Sequence, residues 1–233
     1  MSDINLISRR EAIQRVTAVL GGIALVGGSS LLTGCREPNT DEPFATEEVA
    51  YLDEIAETIL PQTSTPGAKA AKTGAFMALM VTDSYSPADR KIFRDGMEQL
   101  DQRCRRENGA SFMSATAQQR LSLLEKLDRE QIRHSQLREN ANRKKKGLKE
   151  MPLETPGIND PDPRIPQDEY AEAVTIAADT PAHYFRMMKE LALLGYFTSE
   201  IGCTQAQRYI ESPGRFDPCV PYTPGEKAWA PHA

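Results

Sequence analysis

Side chains that could do chemistry are few in this chain, which has four cysteines and three histidines among its 233 residues. The cysteines could bind metal, pair as disulfides or carry a lipid. No cysteine or histidine set has the spacing of a zinc site or a haem attachment site. No Gly-x-Gly-x-x-Gly sequence follows a predicted strand, which excludes a dinucleotide-binding fold. We therefore expect no catalytic residue, no metal ligand and no cofactor site in this chain.

The cysteine with the clearest context is Cys35, which directly follows the sequence Leu32-Thr33-Gly34. Two arginines, Arg9 and Arg10, precede the apolar segment that ends in these small residues. Positive, apolar and small residues in that order are typical of a secretory signal. The cysteine after the small pair resembles the lipobox of bacterial lipoproteins, in which signal peptidase cuts before the cysteine and its thiol carries diacylglycerol.

This pattern predicts a cleaved signal peptide at residues 1–34, lipid attachment at Cys35 and a lipidated tether over residues 35–45. The mature protein would then lie on the periplasmic side of the cell envelope, anchored to a membrane by its acyl chains. The alternative is an uncleaved transmembrane anchor, although the apolar run from Val16 to Leu32 is at the short limit for a span. The sequence Ser8-Arg9-Arg10-Glu11 also resembles the twin-arginine export motif, so that route and the general secretory route both stay open.

Composition limits the classes of function for the mature chain, residues 35–233, which is long enough for one domain with a core. A net charge of −5 and an isoelectric point near 5.4 give no electrostatic reason to bind nucleic acid. Cys203 and Cys219 enclose a turn-rich segment, so they are the better candidates for a disulfide in an oxidising compartment. Cys104 is then left either as a buried small side chain or as a thiol that faces a partner.

The spacing of apolar residues predicts helices and no convincing strand. One apolar stripe begins at Thr46 and ends before Pro61, and a short apolar helix is predicted over residues 74–82. Ser86 and Thr116 are N-cap signals that open two further helices. Helices are also predicted over residues 169–178 and from Thr180. We therefore expect an all-α fold over residues 46–233, a single domain of five or six helices with an irregular proline-rich C-terminal tail.

A long polar segment interrupts this pattern, because residues 128–150 are almost entirely charged or polar and prolines make residues 151–167 irregular. These features predict an insertion at about residues 130–167 between two halves of the helical domain. The segment includes the basic run Arg143-Lys144-Lys145-Lys146. This run belongs either to a solvated helix extension or mobile loop, or to a contact with anionic lipid head groups.

The C-terminal tail contains four aromatic residues that a regular helix could not bury together, because prolines interrupt the segment. These residues are Tyr209, Phe216, Tyr222 and Trp229. They either fold back on the domain or form an interface in which aromatic side chains dock on a partner.

Two stretches of the chain carry a family resemblance. The first is Ile59-Leu60-Pro61 followed by Thr65-Pro66-Gly67-Ala68, and the second is the Leu-Leu-Gly-Tyr-Phe-Thr-Ser-Glu-Ile-Gly sequence at residues 193–202. With these motifs the chain resembles the gluconate 2-dehydrogenase subunit 3 family, and Pro213-Gly214-Arg215 and Tyr222 also suit that family's C-terminal region. The resemblance covers residues 46 to 229, whereas residues 130–167 depart from the compact family pattern.

The resemblance implies a small, helical, exported subunit that has no catalytic residue of its own. Its partner would be the large subunit of a FAD-dependent dehydrogenase of the glucose-methanol-choline type, which oxidises a sugar, a polyol or a sugar acid. FAD would lie in that flavoprotein, and a c-type cytochrome or a quinone-linked acceptor would take the electrons. The small subunit would support export, maturation or stability of its partner, and lipidation at Cys35 would make it the membrane tether as well.

Two other classes of function stay open. A stand-alone membrane-anchored lipoprotein would bind a ligand or an envelope component, and it would need a concave pocket and a C-terminus that is compact without a partner. An enzyme that acts alone would need a site that the sequence does not display. Turnover by isolated, flavin-free protein would identify it.

Overall fold

The computed structural model of this protein describes residues 42–153 and 176–230, apart from residue 213, residues 215–218, and residues 220 and 222. These residues belong to one compact unit, Thr40–Ala233. The predicted signal peptide, Cys35 and most of the tether lie outside the described residues. The same holds for residues 154–167 of the predicted insertion.

Helices account for the regular structure of the described residues. They are α1 (Thr46–Ile59), α2 (Thr73–Ser84), α3 (Pro87–Asn108), α4 (Ala117–Lys145), α5 (Tyr184–Phe197) and a π-helical turn (Gly202–Ala206). The β pairing in this part of the chain is limited to an isolated parallel bridge between Arg208 and Trp229. The all-α prediction is therefore confirmed. No helix in the described ranges combines the length and the apolar character needed to cross a membrane.

Local capping interactions set the predicted ends of the middle helices. The Ser86 hydroxyl accepts a hydrogen bond from the Asp89 amide (3.2 Å), and Pro87 occupies the first turn of α3. Gly109 ends α3 with a left-handed backbone (φ 69°), which glycine adopts without a steric penalty. Thr116 and Gln119 form a reciprocal capping box at the start of α4.

The charged segment after Asp128 continues α4 as far as Lys145, so the helix-extension alternative applies to residues 128–145. The first residues of this polar stretch are held against the domain. Gln131 is buried, and the Asp128 carboxylate accepts a hydrogen bond from the Lys189 ammonium of α5 (2.6 Å). The beginning of this stretch, around Asp128 and Gln131, therefore packs on the domain.

The last helix begins later than the sequence predicts, at Tyr184 instead of Thr180. His183 is the N-cap, and its Nδ1 atom accepts a hydrogen bond from the Phe185 amide (3.2 Å). A helix that begins at Thr180 would place His183 one turn inside it, and that expectation is wrong. The helix predicted over residues 169–178 falls mostly outside the described residues, and residues 176–178 are not helical.

Helix α5 is the centre of the domain, because it packs against each of the other four α-helices. Its apolar face is buried around Met188 and Ala192, which have no exposed surface. The core also contains buried side chains from every other α-helix, among them Leu52, Ile55, Met77, Val81, Phe93, Leu100, Leu123 and Leu127. The Met and aromatic residues of α5 are core residues, as the spacing predicts.

Candidate partner-docking surface

The described residues contain no group of three or more His, Cys, Asp or Glu side chains able to hold a metal ion. The nearest approach to a titratable site is a histidine pair. The rings of His134 and His183 lie 5.7 Å apart, and the His183 ring stacks on Tyr184 at 4.7 Å. His232 lies outside the described residues.

Burial is the main cause of the lowered pKa of both histidines. The pKa of His134 is lowered further by Arg138, and that of His183 by His134 and Arg103. Both rings are therefore neutral at neutral pH. Since the Nδ1 atom of His183 already accepts the cap hydrogen bond, this ring holds the start of α5 in place.

An ion-pair network beside the histidines links α3 to α4. Arg103 contacts Glu107 (2.7 Å) and Glu130 (2.6 Å), and Lys126 contacts Glu107 (2.8 Å). Partial burial alone would raise the pKa of Glu107, but hydrogen bonds from Arg103 and Lys126 lower it overall. The lowered pKa keeps the Glu107 carboxylate in its charged form, which is the form that pairs with Arg103 and Lys126, so this network stabilises the fold.

The two sequence motifs meet in space. The Tyr196 hydroxyl of the second motif donates a hydrogen bond to the Pro66 carbonyl of the first (2.7 Å). The Glu57 carboxylate fixes the same loop, because it accepts hydrogen bonds from the amides of Gln62 (2.9 Å) and Lys69 (2.8 Å). Neither motif contributes a side chain to a reactive cluster, so we assign both to the fold.

Two glycines of the second motif are required by close packing. A Cβ atom on Gly195 would lie 2.5 Å from a ring carbon of Phe76, where α5 crosses α2. A Cβ atom on Gly202 would lie 1.9 Å from the main-chain oxygen of Tyr196. Real Cβ contacts are never this short, so these positions exclude larger residues on steric grounds.

The C-terminal segment folds back on the end of the helical domain. The Arg208 amide donates to the Ala228 carbonyl and the Ala230 amide donates to the Arg208 carbonyl, both at 2.8 Å. The Lys227 ammonium donates to the Gln205 carbonyl, and Ala230 is buried. The main chain of residues 228–230 is therefore paired with Arg208, and the Lys227 side chain adds a contact to Gln205.

Side chains on this paired segment remain exposed, although the main chain is fixed. Tyr209, Ile210 and Trp229 keep 43%, 44% and 44% of their surface accessible, and we call these three residues the aromatic ledge. The Arg208 guanidinium lies 4.4 Å from the centre of the Trp229 ring and restricts its orientation. The described part of the tail thus folds back while Tyr209 and Trp229 stay exposed, and docking of these residues on a partner stays a prediction.

The aromatic ledge differs in membership from the predicted set. Tyr209 and Trp229 are exposed as a docking role requires, whereas Phe216 and Tyr222 lie outside the described residues. Sequence reasoning missed Ile210, although an apolar residue next to Tyr209 after the last helical turn was an available signal. The ledge could bind the apolar surface of another protein through aromatic and aliphatic contacts.

The three cysteines that the structure describes occupy different environments. Cys104 is buried in α3, where its sulfur accepts a hydrogen bond from the Asn108 amide group (3.6 Å), so the buried alternative is confirmed. The Cys203 thiol is half-buried and donates to the Phe197 carbonyl (3.2 Å). Cys219 is exposed. The disulfide between Cys203 and Cys219 stays a prediction.

Comparison with known proteins agrees with the motif assignment. The family model described as gluconate 2-dehydrogenase subunit 3 matches residues 46–214, which cover more than two thirds of the chain. Searches of curated proteins and of solved structures find no match. The matched range includes both motifs, all five α-helices and the first two residues of the aromatic ledge. The chain therefore belongs to the gluconate 2-dehydrogenase subunit 3 family and is a small subunit of a dehydrogenase complex.

Proposed function

We propose that this protein is the non-catalytic small subunit of a periplasmic FAD-dependent dehydrogenase of the glucose-methanol-choline type. Its flavoprotein partner oxidises a sugar, a polyol or a sugar acid and passes the electrons to a c-type cytochrome or a quinone-linked acceptor. The small subunit supports export and maturation of the flavoprotein and anchors it to the membrane through lipid on Cys35. FAD belongs to the partner and not to this chain.

The observation that carries the proposal is the aromatic ledge in a chain of this family. Tyr209, Ile210 and Trp229 expose apolar surface next to the main-chain hydrogen bonds that join Arg208 to Ala228 and Ala230. Tryptophan and tyrosine are enriched among the residues that contribute most to protein–protein binding, and a fixed backbone reduces the entropy lost on docking. The ledge thus has the chemistry of a preorganised interface with an apolar surface of the flavoprotein.

The assignment of catalysis to the large subunit is supported by the structural roles of the described side chains in this chain. The histidine pair, the Arg103 network and the two family motifs each have a structural role in the helical domain. The proposal therefore assigns substrate binding and flavin chemistry to the large subunit.

Affinity capture of the tagged chain from detergent-solubilised membranes tests the proposal. We expect a flavoprotein to be captured in a stoichiometric amount, with a flavin absorption spectrum and sugar or sugar-acid oxidation in the captured fraction. A monodisperse chain without partner would contradict the proposal. Bound flavin or sugar oxidation in a preparation that contains only this chain would also contradict it.

The aromatic ledge is tested by combining Tyr209→Ala with Trp229→Ala. Loss of a residue that dominates an interface costs about 2 kcal/mol or more, so we expect capture of the flavoprotein to weaken at least about 30-fold. Leu79→Ala is the matched control, because Leu79 of α2 is also an exposed apolar residue (58%) but is not part of the ledge. Equal loss of capture in both variants, or none in the double variant, would reject the ledge as the interface. Unchanged helical circular dichroism shows that the domain remains folded.

A further inference from the structure

The end of α4 carries a second surface that the dehydrogenase complex does not explain. It consists of residues 143–153, which we call the basic tip. Five cations and one carboxylate lie between Arg143 and Glu150, in a chain whose net charge is −5. Residues 144–153 are all exposed. In the part of the chain that the structure describes, the ammonium groups of its four lysines form no ion pair. The tip is thus a concentrated positive patch on an acidic protein.

Hydrogen bonds fold the chain back at the tip and hold it in place. Gly147 adopts a left-handed backbone (φ 69°), and the Leu148 amide donates to the Arg143 carbonyl (2.8 Å), which closes the helix end. The Asn140 side-chain amide donates to the Met151 carbonyl and accepts from the Met151 amide, both at 2.8 Å. The segment after α4 is therefore tied to the last turns of the helix.

The same segment presents apolar side chains to solvent. Leu148, Met151 and Leu153 keep 52%, 43% and 46% of their surface accessible. Exposed aliphatic groups beside unpaired lysines are typical of segments that lie in the interface of a bilayer, where the apolar groups reach about 5–10 Å below the head groups. The lysines then lie at the level of the lipid phosphates.

We propose that the basic tip binds the surface of a membrane that contains anionic phospholipids. Each cation near such a surface increases the partition coefficient of the protein onto the membrane about fivefold. The composition favours lipid over an acidic protein, because lysine is depleted at protein interfaces and leucine is under-represented among residues that dominate them. This contact is separate from the aromatic ledge and does not depend on the identity of the dehydrogenase partner.

A tryptophan placed at the tip reports the contact. The full chain with Trp229→Phe, which removes the sole native tryptophan, and Leu148→Trp is purified in detergent and reconstituted with vesicles of phosphatidylcholine. A second set of vesicles contains about one quarter phosphatidylglycerol. We expect a blue shift of the emission, and quenching by brominated acyl chains, in the anionic vesicles and not in the neutral ones. High salt should remove the shift, because it screens exposed charges.

Two matched variants decide between the outcomes. Leu79→Trp in the same background places the probe on an exposed position of α2, and we expect no shift there in either set of vesicles. Combining Lys144→Gln, Lys145→Gln and Lys146→Gln with the tip probe should abolish the shift, since three cations represent about a hundredfold in partition. No shift at the tip, or equal shifts at both probe positions, would overturn the proposal. A tip shift that needs the captured flavoprotein and no lipid would also overturn it, because the tip would then be a protein interface.

Discussion

Tyr196 and Pro66 are 130 residues apart in sequence, and the hydroxyl of the first donates to the carbonyl of the second across 2.7 Å. Tyr196 is buried at the C-terminal end of α5, and Pro66 lies in the loop between α1 and α2. This bond joins the two motifs that identify the family. It explains why both motifs occur in a chain that shows no catalytic use for either.

Removal of this hydroxyl by Tyr196→Phe should lower the free energy of unfolding by about 1–3 kcal/mol, because the Pro66 carbonyl loses its buried donor while the ring stays packed. Chemical denaturation followed by circular dichroism measures the change. Tyr209→Phe is the control, since Tyr209 is exposed and its hydroxyl forms no such bond to the first motif. Equal stability of wild type and Tyr196→Phe would show that the bond contributes nothing.

Gly195→Ala should destabilise the domain by about 1–3 kcal/mol, because the added methyl group would lie 2.5 Å from a ring carbon of Phe76. Combining it with Phe76→Leu should recover part of the loss, since a smaller side chain makes room where α5 crosses α2. Thermal unfolding of the two single variants and the double variant gives the interaction free energy between positions 195 and 76. If the effects of the two substitutions on stability were strictly additive, the contact between residue 195 and Phe76 would not be the cause of the destabilisation.

Acidification from about pH 7 to about pH 5 should destabilise the protein through its histidines. Burial lowers the pKa of His134 and His183 in the folded state. The unfolded chain therefore takes up protons first, near pH 6.5, and stability falls as the pH drops below that value. Protonation at Nδ1 of His183 would also remove the acceptor that caps α5.

His183→Asn separates the cap from the titration, because asparagine can accept the same amide hydrogen bond and carries no proton equilibrium in this range. We expect the variant to lose less stability than the wild type over this pH interval. Denaturant midpoints at several pH values measure the difference. If stability depended on pH in the same way in the variant and the wild type, groups other than His183 would be responsible for the pH dependence.

The predicted lipid anchor is tested by Cys35→Ala in a chain whose residues 1–34 are exchanged for a signal that the general signal peptidase cleaves. Without acyl chains, most of the protein and its captured flavoprotein should move from the membrane fraction to the soluble periplasmic fraction. The same exchanged signal with Cys35 retained is the control for export. Full retention of the Cys35→Ala chain on membranes washed with high salt, which screens the charges of the basic tip, would contradict the lipid anchor.

Spacing and capping residues were enough to predict much of the helical domain. The stripe from Thr46 and the Ser86 and Thr116 caps depend on residues three or four positions apart, which a single sequence displays. The start of α5 was placed too early, because Thr180-Pro181 is a strong local signal. The actual cap, His183, is a residue type that rarely has this role.

The sequence by itself determined the helical class, the family motifs and the scarcity of reactive side chains, since each depends on residue type and short-range spacing. Only the tertiary structure decided which of those residues meet. It joined Tyr196 to Pro66, set Gly195 against Phe76 and left the aromatic ledge exposed beside the bridge between Arg208 and Trp229. These contacts join segments that are far apart in sequence. They depend on how the helices cross, and the periodicity of one helix does not specify that crossing.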